Sequence, residues 1–272
     1  VCFDECHRIS SEVFSRSLPK VGIRITCGLS ATPTRADGLT KVFKWFLGDI
    51  VFKSKRKKDL KIPKSVKCLI IDSKKYEYGK EKRVTWTGNL NTSAMINQIA
   101  EYEARTKFVS DIARQIVEKE PNRQVIILSG RRKHLDHIKH NIELSNSIID
   151  VGYYVGGMKQ ESLKRSESSN IVLGTYSMAS EGLDIKSLNT LIFATPMSNI
   201  VQAVGRILRK VDDKTPPLII DIVDDFSSFT RQFNKRKKTY KNQGFNNVHE
   251  ISIDNWDTSL AFENLVPVKS QP

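Results

Sequence analysis

Two pairs of charged side chains in this chain have the spacing that metal–nucleotide chemistry requires. Asp4 and Glu5 follow the apolar residues 1–3, and Arg206 and Arg209 stand three residues apart in a segment with helical spacing. One carboxylate can hold Mg²⁺, generally through water, and the other can orient or deprotonate an attacking water molecule. Two guanidinium groups on one helix face can bind phosphate oxygens and stabilise charge on a transferred phosphoryl group. Together the two pairs predict NTP hydrolysis between two halves of the chain.

A third segment, residues 174–184, leaves a strand-like run and is rich in hydroxyl groups and glycine. Such a turn suits contacts to a phosphate backbone, and Asp184 could reach a nucleotide or the arginine pair. Each of the three features also has a plain structural interpretation: a solvent-exposed acidic pair, a basic helix face and an ordinary strand-to-helix turn. The phosphate-cradling string Gly-x-x-x-x-Gly-Lys-Ser/Thr does not occur in the chain.

The elements that must position these residues alternate along the chain. Apolar runs typical of strands cover residues 1–3, 23–29, 66–72, 125–129, 148–155, 171–175, 188–194 and 218–223. Helical spacing covers residues 8–18, 94–119, 131–144 and 199–209, and a basic amphipathic helix follows Asp225. Apolar strands separated by amphipathic helices predict an α/β fold, in which helices cover both faces of parallel sheets. Polar residues that follow the strands then collect at one edge of each sheet.

The same pattern predicts how the chain is divided. We expect residues 1–52 to form part of a first lobe and residues 66–225 to form a second lobe. Residues 53–67 carry eight basic residues against one acidic residue and predict a linker. Residues 226–272 predict a basic helix and a tail, of which about the last 25 residues are loosely ordered. Residues 73–92 are polar, contain Tyr, Trp and Gly, and predict an irregular excursion.

Charge and cysteine content limit the partners and the compartment. The 44 Lys and Arg outnumber the 30 Asp and Glu, and the net charge of +14 favours nucleic acid or an anionic membrane surface as partner. The chain has no apolar run of 18 residues, so we expect no membrane-spanning segment. The four cysteines lack zinc-ligand spacing and predict buried free thiols in a reducing compartment.

Four consecutive basic residues of the helix after Asp225 are candidates for contacts with nucleic-acid phosphates: Lys235, Arg236, Lys237 and Lys238. Such contacts would depend on salt concentration but not on base sequence. A solvated helix face is the alternative, and the basic residues within 53–67 are open to the same two interpretations.

The order of these strings resembles that of the superfamily 2 helicases and translocases. Residues 4–7, Asp-Glu-Cys-His, look like motif II in its DExH form, and residues 30–32, Ser-Ala-Thr, look like motif III. Residues 175–184 look like motif V, residues 202–209 look like motif VI, and residues 125–130 stand where motif IV would. Four motifs in the family's order are not expected by chance, and the resemblance covers roughly residues 1–225.

The resemblance implies two RecA-like lobes, the first only partly present, with ATP bound between them and Mg²⁺ as cofactor. By this resemblance Asp4 binds Mg²⁺, generally through water, and Glu5 positions or activates the attacking water. His7 links the nucleotide site to motif III or motif VI. Arg206 and Arg209 are the arginine fingers that stabilise the transferred phosphoryl group.

Further residues receive roles from the same resemblance. The residues that face or line the nucleotide are Gly182, Asp184, Gln202 and Gly205. The residues that couple hydrolysis to movement along the strand are Ser30, Ala31 and Thr32. Thr175 contacts a backbone phosphate of the nucleic acid.

Residues 28–39, Gly-Leu-Ser-Ala-Thr-Pro-Thr-Arg-Ala-Asp-Gly-Leu, resemble one branch of the superfamily more closely. That branch holds the translocase subunit of transcription factor TFIIH, the phage recombination helicase UvsW and helicases of large cytoplasmic DNA viruses. It implies double-stranded or branched DNA as substrate, and transcription or replication machinery as partner. The Lys-, Asn- and Ile-rich composition favours a viral member, placed in the cytoplasm, the nucleus, a viral factory or the virion.

Motifs Q, I, Ia and Ib of the family are missing from the chain, so we expect the carboxyl-terminal part of a longer enzyme. Without the motif I lysine for the β- and γ-phosphates, this part should not hydrolyse ATP alone. Three alternatives stay open: a DECH-type RNA helicase, a module that only binds nucleic acid, and a motor subunit that feeds a nuclease. Intact Asp4, Glu5, Arg206 and Arg209 argue against the binding module, and no nuclease-like string supports the third alternative.

Overall fold

A computed structural model shows the chain as two compact units, Val1–Lys57 and Lys58–Pro272. The described residues are 1–6, 9, 16, 18–20, 22–30, 38–53, 64–74, 79–84, 86–145, 148–181, 183–208, 215–245 and 247–262. The division between the units falls inside the predicted linker 53–67, of which residues 54–63 lie outside the described residues.

Two short parallel strands form the sheet of the first unit. Strand β1 (Cys2–Phe3) pairs with β2 (Cys27–Gly28), and Cys2 lies opposite Cys27. Backbone bonds from Cys27 N to the Val1 carbonyl (2.9 Å) and from Leu29 N to the Phe3 carbonyl (2.8 Å) continue the ladder. Helix α1 (Thr40–Leu47) follows and contributes Leu47 to a small apolar cluster with Cys6 and Ile9.

The first unit differs from the expectation in strand length. Only Cys27–Gly28 of the strand predicted over residues 23–29 is regular, because its partner β1 is itself two residues long. The helix predicted over residues 8–18 lies outside the described residues, apart from Ile9, Arg16 and Leu18.

The described part of the second unit is built on one sheet of seven parallel strands, which confirms the predicted α/β fold. The strands are β3 (Ser65–Ile71), β4 (Gln124–Ser129), β5 (Val151–Tyr154), β6 (Ile171–Thr175), β7 (Leu188–Phe193), β8 (Leu218–Asp224) and β9 (Asn247–Ser252). Their order across the sheet is β5-β6-β4-β7-β8-β3-β9. Every residue of β4, β7 and β8 is buried, as continuous apolar runs predict for strands covered on both faces.

Helices cover the two faces of this sheet. On one face lie α2 (Thr92–Glu101), α3 (Glu103–Lys119) and α4 (Arg132–Leu144). On the other lie α5 (Gln160–Ser166), α6 (Tyr176–Glu181), α7 (Val201–Ile207) and most of α8 (Ser227–Asn242). Alternate residues of β4 point to the two cores, so Ile127 belongs to the first and Ile126 to the second.

The segment predicted as one helix over residues 94–119 is two helices. Tyr102 is extended, with φ −76° and ψ 109°, and separates α2 from α3. The hydroxyl of Thr106 donates to the carbonyls of Ala100 (3.3 Å) and Tyr102 (3.1 Å), so a side chain stabilises the break. Hydrophobic periodicity continues across the break and therefore did not reveal it.

The carboxyl-terminal segment belongs to the second unit, so the prediction of a loosely ordered tail is wrong for residues 247–262. Strand β9 pairs along β3, with Val66 opposite Val248, and covers what would otherwise be an edge of the sheet. Ile251 and Trp256 pack against the core. Residues 263–272 lie outside the described residues.

Two further expectations concern the burial of the cysteines and the absence of a membrane-spanning segment. All four cysteines are free thiols; Cys6 and Cys68 are buried as predicted, whereas Cys2 and Cys27 of the first unit are exposed. Within the described residues, no helix has the length and apolar character needed to cross a bilayer.

Candidate functional site

The acidic candidate site lies at the carboxyl ends of β1 and β2 in the first unit. Asp4 and Glu5 follow β1, Ser30 comes two residues after β2, and the Cys6 N–H donates to the Leu29 carbonyl (2.9 Å). Because the strands are parallel, their carboxyl ends share one edge. Ser30 and the acidic pair therefore lie at the same edge of this sheet.

Glu5 has an unusual backbone conformation. Its φ of 47° lies in the left-handed region, which costs a non-glycine residue on the order of 1 kcal/mol or more. The Asp4 carboxylate accepts a hydrogen bond from the Glu5 N–H (2.8 Å) and stabilises this turn. Strain of this kind is concentrated at functional sites, so it favours a functional role for the acidic pair over an ordinary exposed strand end.

Hydroxyl groups gather at the carboxyl edge of the sheet in the second unit. Ser129 at the end of β4 lies opposite Thr175 at the end of β6. The Gly130 N–H donates to the Thr195 hydroxyl (2.8 Å), and the Tyr176 hydroxyl donates to the Thr195 carbonyl. Ser129 and Thr195 are buried and fix this turn, whereas Thr175 is only partly buried. Of these hydroxyls, Thr175 is therefore the one placed to contact a phosphate oxygen.

The chain reverses its direction across the sheet between β4 and β7. After β4 it runs to β5 and β6 on one side, whereas β7 and β8 lie on the other side. Helices α4 and α7, which follow β4 and β7, accordingly cover opposite faces. Ligands of open parallel sheets bind beyond the carboxyl ends at such a point. The contact between Gly130 and Thr195 lies there.

Sequence reasoning missed Arg131, which joins this edge of the sheet to α2. Its Nη2 donates to the Ser93 hydroxyl (2.8 Å) and to the Ser93 carbonyl (3.1 Å), and its Nε donates to the Asn97 side chain. The sequence feature that could have indicated Arg131 is the Ser-Gly-Arg string at the carboxyl end of a fully buried strand. The partners of Arg131 lie more than 30 residues earlier, so the pairing itself was not predictable.

A buried histidine supports the same turn. His134 is 1% exposed, and its Nδ1 lies 3.0 Å from the Ser129 hydroxyl, which also accepts from the Arg131 N–H (3.1 Å). Burial lowers the pKa of His134 to about 3, and the positive charges of Arg105 and His137 contribute. The imidazole is thus neutral at ordinary pH and serves as a fixed hydrogen-bond partner.

Arg206 is bonded to the helix that follows Thr175. Its Nε donates to the Ala179 carbonyl (3.1 Å) and its Nη2 to the Ser180 carbonyl (2.8 Å). These carbonyls belong to the last turn of α6, where a cation is favoured by the helix dipole. Because α6 begins directly after Thr175, one short helix connects the arginine with the candidate nucleic-acid contact.

The charges of Asp184 and Arg206 both affect the pKa of the Tyr154 phenol. Burial raises the pKa of Tyr154, the charges of Glu167 and Asp184 raise it further, and the charge of Arg206 lowers it. Asp184 and Arg206, which the sequence placed in different motifs, therefore both lie within electrostatic range of Tyr154.

Comparison with known proteins gives these motifs a family. A model described as the Helicase conserved C-terminal domain matches residues 107–211. The Acanthamoeba polyphaga mimivirus protein L396, provisionally named an ATP-dependent RNA helicase, is 35% identical over 251 residues, which are 90% of this chain and 47% of L396. Phage T4 uvsW, named an ATP-dependent DNA helicase, is 26% identical over 144 residues, which are 49% of this chain and 28% of uvsW.

Residues 107–211 of the chain match a helicase carboxyl-terminal domain, and the chain is similar to viral members of the superfamily 2 helicase-like branch. Two solved structures show the same fold. The crystal structure of T4 UvsW has a TM-score of 0.52 at 19% identity and covers 92% of this chain and 53% of its own. Saccharomyces cerevisiae Dbp5, solved with RNA and ADP BeF3, has a TM-score of 0.60 at 13% identity. The match covers 97% of this chain and 62% of the Dbp5 chain. This helicase-like chain spans about half the length of the curated relatives it matches.

The remaining helicase motif residues are only partly within the described structure. Gln202 and Gly205 lie on α7 beside Arg206 and are partly buried. The helix predicted over residues 199–209 is Val201–Ile207, with Leu208 as its carboxyl cap. Five predicted site residues lie outside the described residues, and these are His7, Ala31, Thr32, Gly182 and Arg209.

Arg236 does not fit the nucleic-acid contact that the sequence predicted for it. Its side chain is 1% exposed, and its Nε lies 2.8 Å from a carboxylate oxygen of the fully buried Asp221. The Arg236 Nη1 donates to the Met197 carbonyl (2.9 Å), and the Tyr240 hydroxyl donates to Asp221 (2.6 Å). Arg236 therefore holds α8 on the sheet and cannot meet a phosphate.

The three lysines of the predicted set on α8 are more exposed than Arg236. Lys235 and Lys238 are exposed. Lys237 is half-buried, lies 3.0 Å from Glu250 and sits 4.7 Å from the centre of the Phe233 ring. The two exposed lysines are thus the members of the predicted set that are best placed to meet a partner.

The donor set at the end of β1 fits Mg²⁺. Mg²⁺ prefers hard oxygen ligands, keeps several waters and needs only one or two protein carboxylates, such as Asp4 and Glu5. No group of three or more His, Cys, Asp or Glu side chains within the described part of the chain forms a closed metal site. The residues present therefore suit a solvated cation, of which Asp4 would be a ligand through water.

Proposed function

We propose that the full-length protein containing this chain is an ATP-dependent helicase or duplex translocase that acts on DNA. The observation that carries the proposal is the bond between Arg206 and the last turn of α6, the helix that starts at Thr175. A phosphate-sensing arginine and a nucleic-acid contact at opposite ends of one rigid helix can move together. Such coupling is what a motor needs in order to convert hydrolysis into movement.

The residues of the chain take the following parts in this proposal. Glu5 orients or deprotonates the attacking water, and Asp4 holds a water-bound Mg²⁺, which when bound neutralises charge on the phosphate oxygens. Arg206 and Arg209 stabilise the charge that develops on the transferred phosphoryl group. Asp184 and Gln202 orient the nucleotide, and Thr175 binds the nucleic-acid strand by contacting a backbone phosphate.

The choice of DNA rests on the resemblance of residues 28–39 to the UvsW-containing branch and on the similarity to T4 uvsW. RNA is the second candidate, because the mimivirus relative is provisionally named an RNA helicase and residues 4–7 have the DECH spelling. ATP hydrolysis by the full-length protein, measured with duplex DNA, branched DNA and duplex RNA at equal nucleotide concentration, separates the two. Stimulation by DNA alone supports the proposal, and stimulation by RNA alone transfers the function to RNA. Absence of hydrolysis with every stimulant would leave only a binding module.

Removing either arginine finger should abolish stimulated hydrolysis and leave nucleic-acid binding largely intact. We expect Arg206→Ala and Arg209→Ala in the full-length protein to lower kcat by about 10³-fold or more, because each removes charge stabilisation from the transition state. Arg206→Lys is the matched control: it keeps the charge but loses the planar guanidinium, so it should remain strongly impaired. Steady-state ATPase assays and oligonucleotide anisotropy measure the two effects. Turnover near the wild-type value in both alanine variants would contradict these roles.

A further inference from the structure

Trp86 is an exposed aromatic side chain in a hairpin of the second unit, of which residues 83, 84 and 86–91 are described. Of its surface, 87% is accessible to solvent. Residues Arg83 and Leu90 form an antiparallel bridge, and backbone bonds join Val84 N to the Asn89 carbonyl and Gly88 N to the Val84 carbonyl, at 2.8 and 2.9 Å. Trp86 therefore stands at the tip of a defined turn.

Two contacts fix the shape of this hairpin. Gly88 has a φ of +64°, the left-handed conformation that a tight turn needs and that glycine adopts without strain. The Arg83 Nη1 donates to the Gly88 carbonyl (2.8 Å) and closes the turn from the side. The indole is thus exposed to solvent in a hairpin whose described residues on either side of it are joined by hydrogen bonds.

The hairpin is attached to the carboxyl edge of the sheet, where the candidate nucleic-acid contacts lie. Its last residue, Asn91, caps α2 by accepting a hydrogen bond from the Ala94 N–H (3.0 Å). The first turn of α2 then binds Arg131 through Ser93 (2.8 Å), and Arg131 follows the Gly130 turn beside Thr175. A strand bound at Thr175 can therefore continue towards the hairpin.

Three basic residues precede Trp86 in the same segment of the chain. Lys80, Lys82 and Arg83 are exposed around the hairpin. The carboxylate of Glu81 accepts hydrogen bonds from the Ser227 side chain and N–H, which lower the pKa of Glu81 and direct its charge to the start of α8. The surface beside the indole is therefore cationic and suits a phosphate backbone.

The surroundings favour nucleic acid over a protein partner. A protein interface core needs several apolar side chains side by side, with few charges. Among the described residues of the second unit, the other exposed large hydrophobics are Leu144 and Ile148, both outside the hairpin. One aromatic face among lysines is instead what binds an unpaired base whose phosphates lie alongside.

We propose that Trp86 is a base-stacking contact for an unpaired stretch of the nucleic acid, with Lys80 and Lys82 on the adjacent phosphates. The inference rests on the proposed function, since it needs a strand at the Thr175 edge. It adds a site of stated chemistry: a single-stranded segment recognised through one base face, independent of base identity.

Binding of normal and abasic oligonucleotides by the full-length protein tests this site. We use a duplex with a single-stranded extension and the same molecule with the bases of the extension removed, and we measure anisotropy of a label on the duplex. The wild type should bind the base-bearing molecule more tightly, by about 5- to 100-fold. Trp86→Ala should lose this preference while its affinity for the abasic molecule stays unchanged. Trp86→Phe keeps an aromatic face and should retain the preference.

The possible failures have different meanings. If Trp86→Ala keeps the preference for bases, the stacking contact is wrong and the proposed helicase function is untouched. If Trp86→Ala lowers Tm without nucleic acid, the indole packs against protein in the full-length molecule and the inference is likewise overturned. If the wild type neither binds nucleic acid nor hydrolyses ATP in response to it, the proposed function fails and this inference fails with it.

Discussion

At the residue scale, burial separates the charged side chains that build the helicase fold from those that can meet a partner. Arg105 and Arg236 each form a buried ion pair, with Asp224 and Asp221, at 2.8 Å. Arg105 also donates to the Ala194 carbonyl (2.8 Å) at the carboxyl edge. The low dielectric of the interior makes such pairs costly to break, so these arginines are structural however basic the surrounding sequence looks.

His134 should make the second unit sensitive to acid. Its pKa is lowered from the ordinary 6.5 to about 3 by burial, so the unfolded chain takes up a proton that the folded chain refuses. Between these two pH values the free energy of unfolding should fall with falling pH by up to about 1.4 kcal/mol per pH unit from this group. Urea denaturation at several pH values between 7 and 4 measures the slope.

The control for this prediction is His134→Asn, which keeps a hydrogen-bond partner for the Ser129 hydroxyl but does not titrate. The variant should lose the contribution of one proton from the slope, while carboxylates elsewhere contribute equally to both proteins. Equal slopes in wild type and variant would show that His134 is not the group responsible.

At the element scale, the contacts and breaks between elements were harder to predict from the sequence than the elements themselves. The sequence predicted nearly every strand of the second unit, because strands buried on both faces need continuous apolar runs. The break at Tyr102 and the addition of β9 to the sheet were missed, because hydroxyl-to-carbonyl bonds and an added edge strand leave little mark on periodicity.

The joint between β5 and α5 depends on a glycine. A Cβ at Gly152 would lie 2.7 Å from the Cβ and 2.8 Å from the Cα of Ser166, which is too close for van der Waals contact. Gly152→Ala should therefore lower the free energy of unfolding by about 1–3 kcal/mol, since backbone must move. Gly156→Ala is the matched control, because nothing lies within 4 Å of its Cβ position. Urea denaturation compares the two, and equal stabilities would show that α5 can move away at no cost.

At the scale of the whole molecule, the net charge of +14 is a statement about partners rather than about fold. The lysines and arginines are spread along the chain, and among the described ones Lys67, Arg105, Arg123 and Arg236 are buried. Affinity for nucleic acid should therefore depend on which basic residues are exposed and should fall with salt.

Lys235→Ala with Lys238→Ala should weaken nucleic-acid binding without sequence bias and leave stability unchanged. The slope of log affinity against log salt should decrease by about one unit for each lysine, since each releases counterions from a phosphate. Anisotropy titrations of the full-length protein at several salt concentrations measure this slope. An unchanged slope would show that these lysines of α8 do not contact the nucleic acid.

Arg236→Ala is the contrasting variant on the same helix. It should lower the free energy of unfolding by about 3–5 kcal/mol, because it leaves the Asp221 carboxylate buried without its cation. An Arg236→Ala protein with wild-type stability would show that this ion pair is not what holds α8 to the sheet.

The sequence by itself determined the motif order, the alternation of strands and helices and hence the parallel sheet, because these depend on local periodicity and on residues adjacent in the chain. It also placed Thr175 and the acidic pair at strand ends, where parallel strands collect their polar residues. Only the tertiary structure decided that Arg236 is buried and that Arg206 binds α6. Such contacts join residues far apart in the chain, for example 119 positions for Arg105 and Asp224, and periodicity carries no information over that distance.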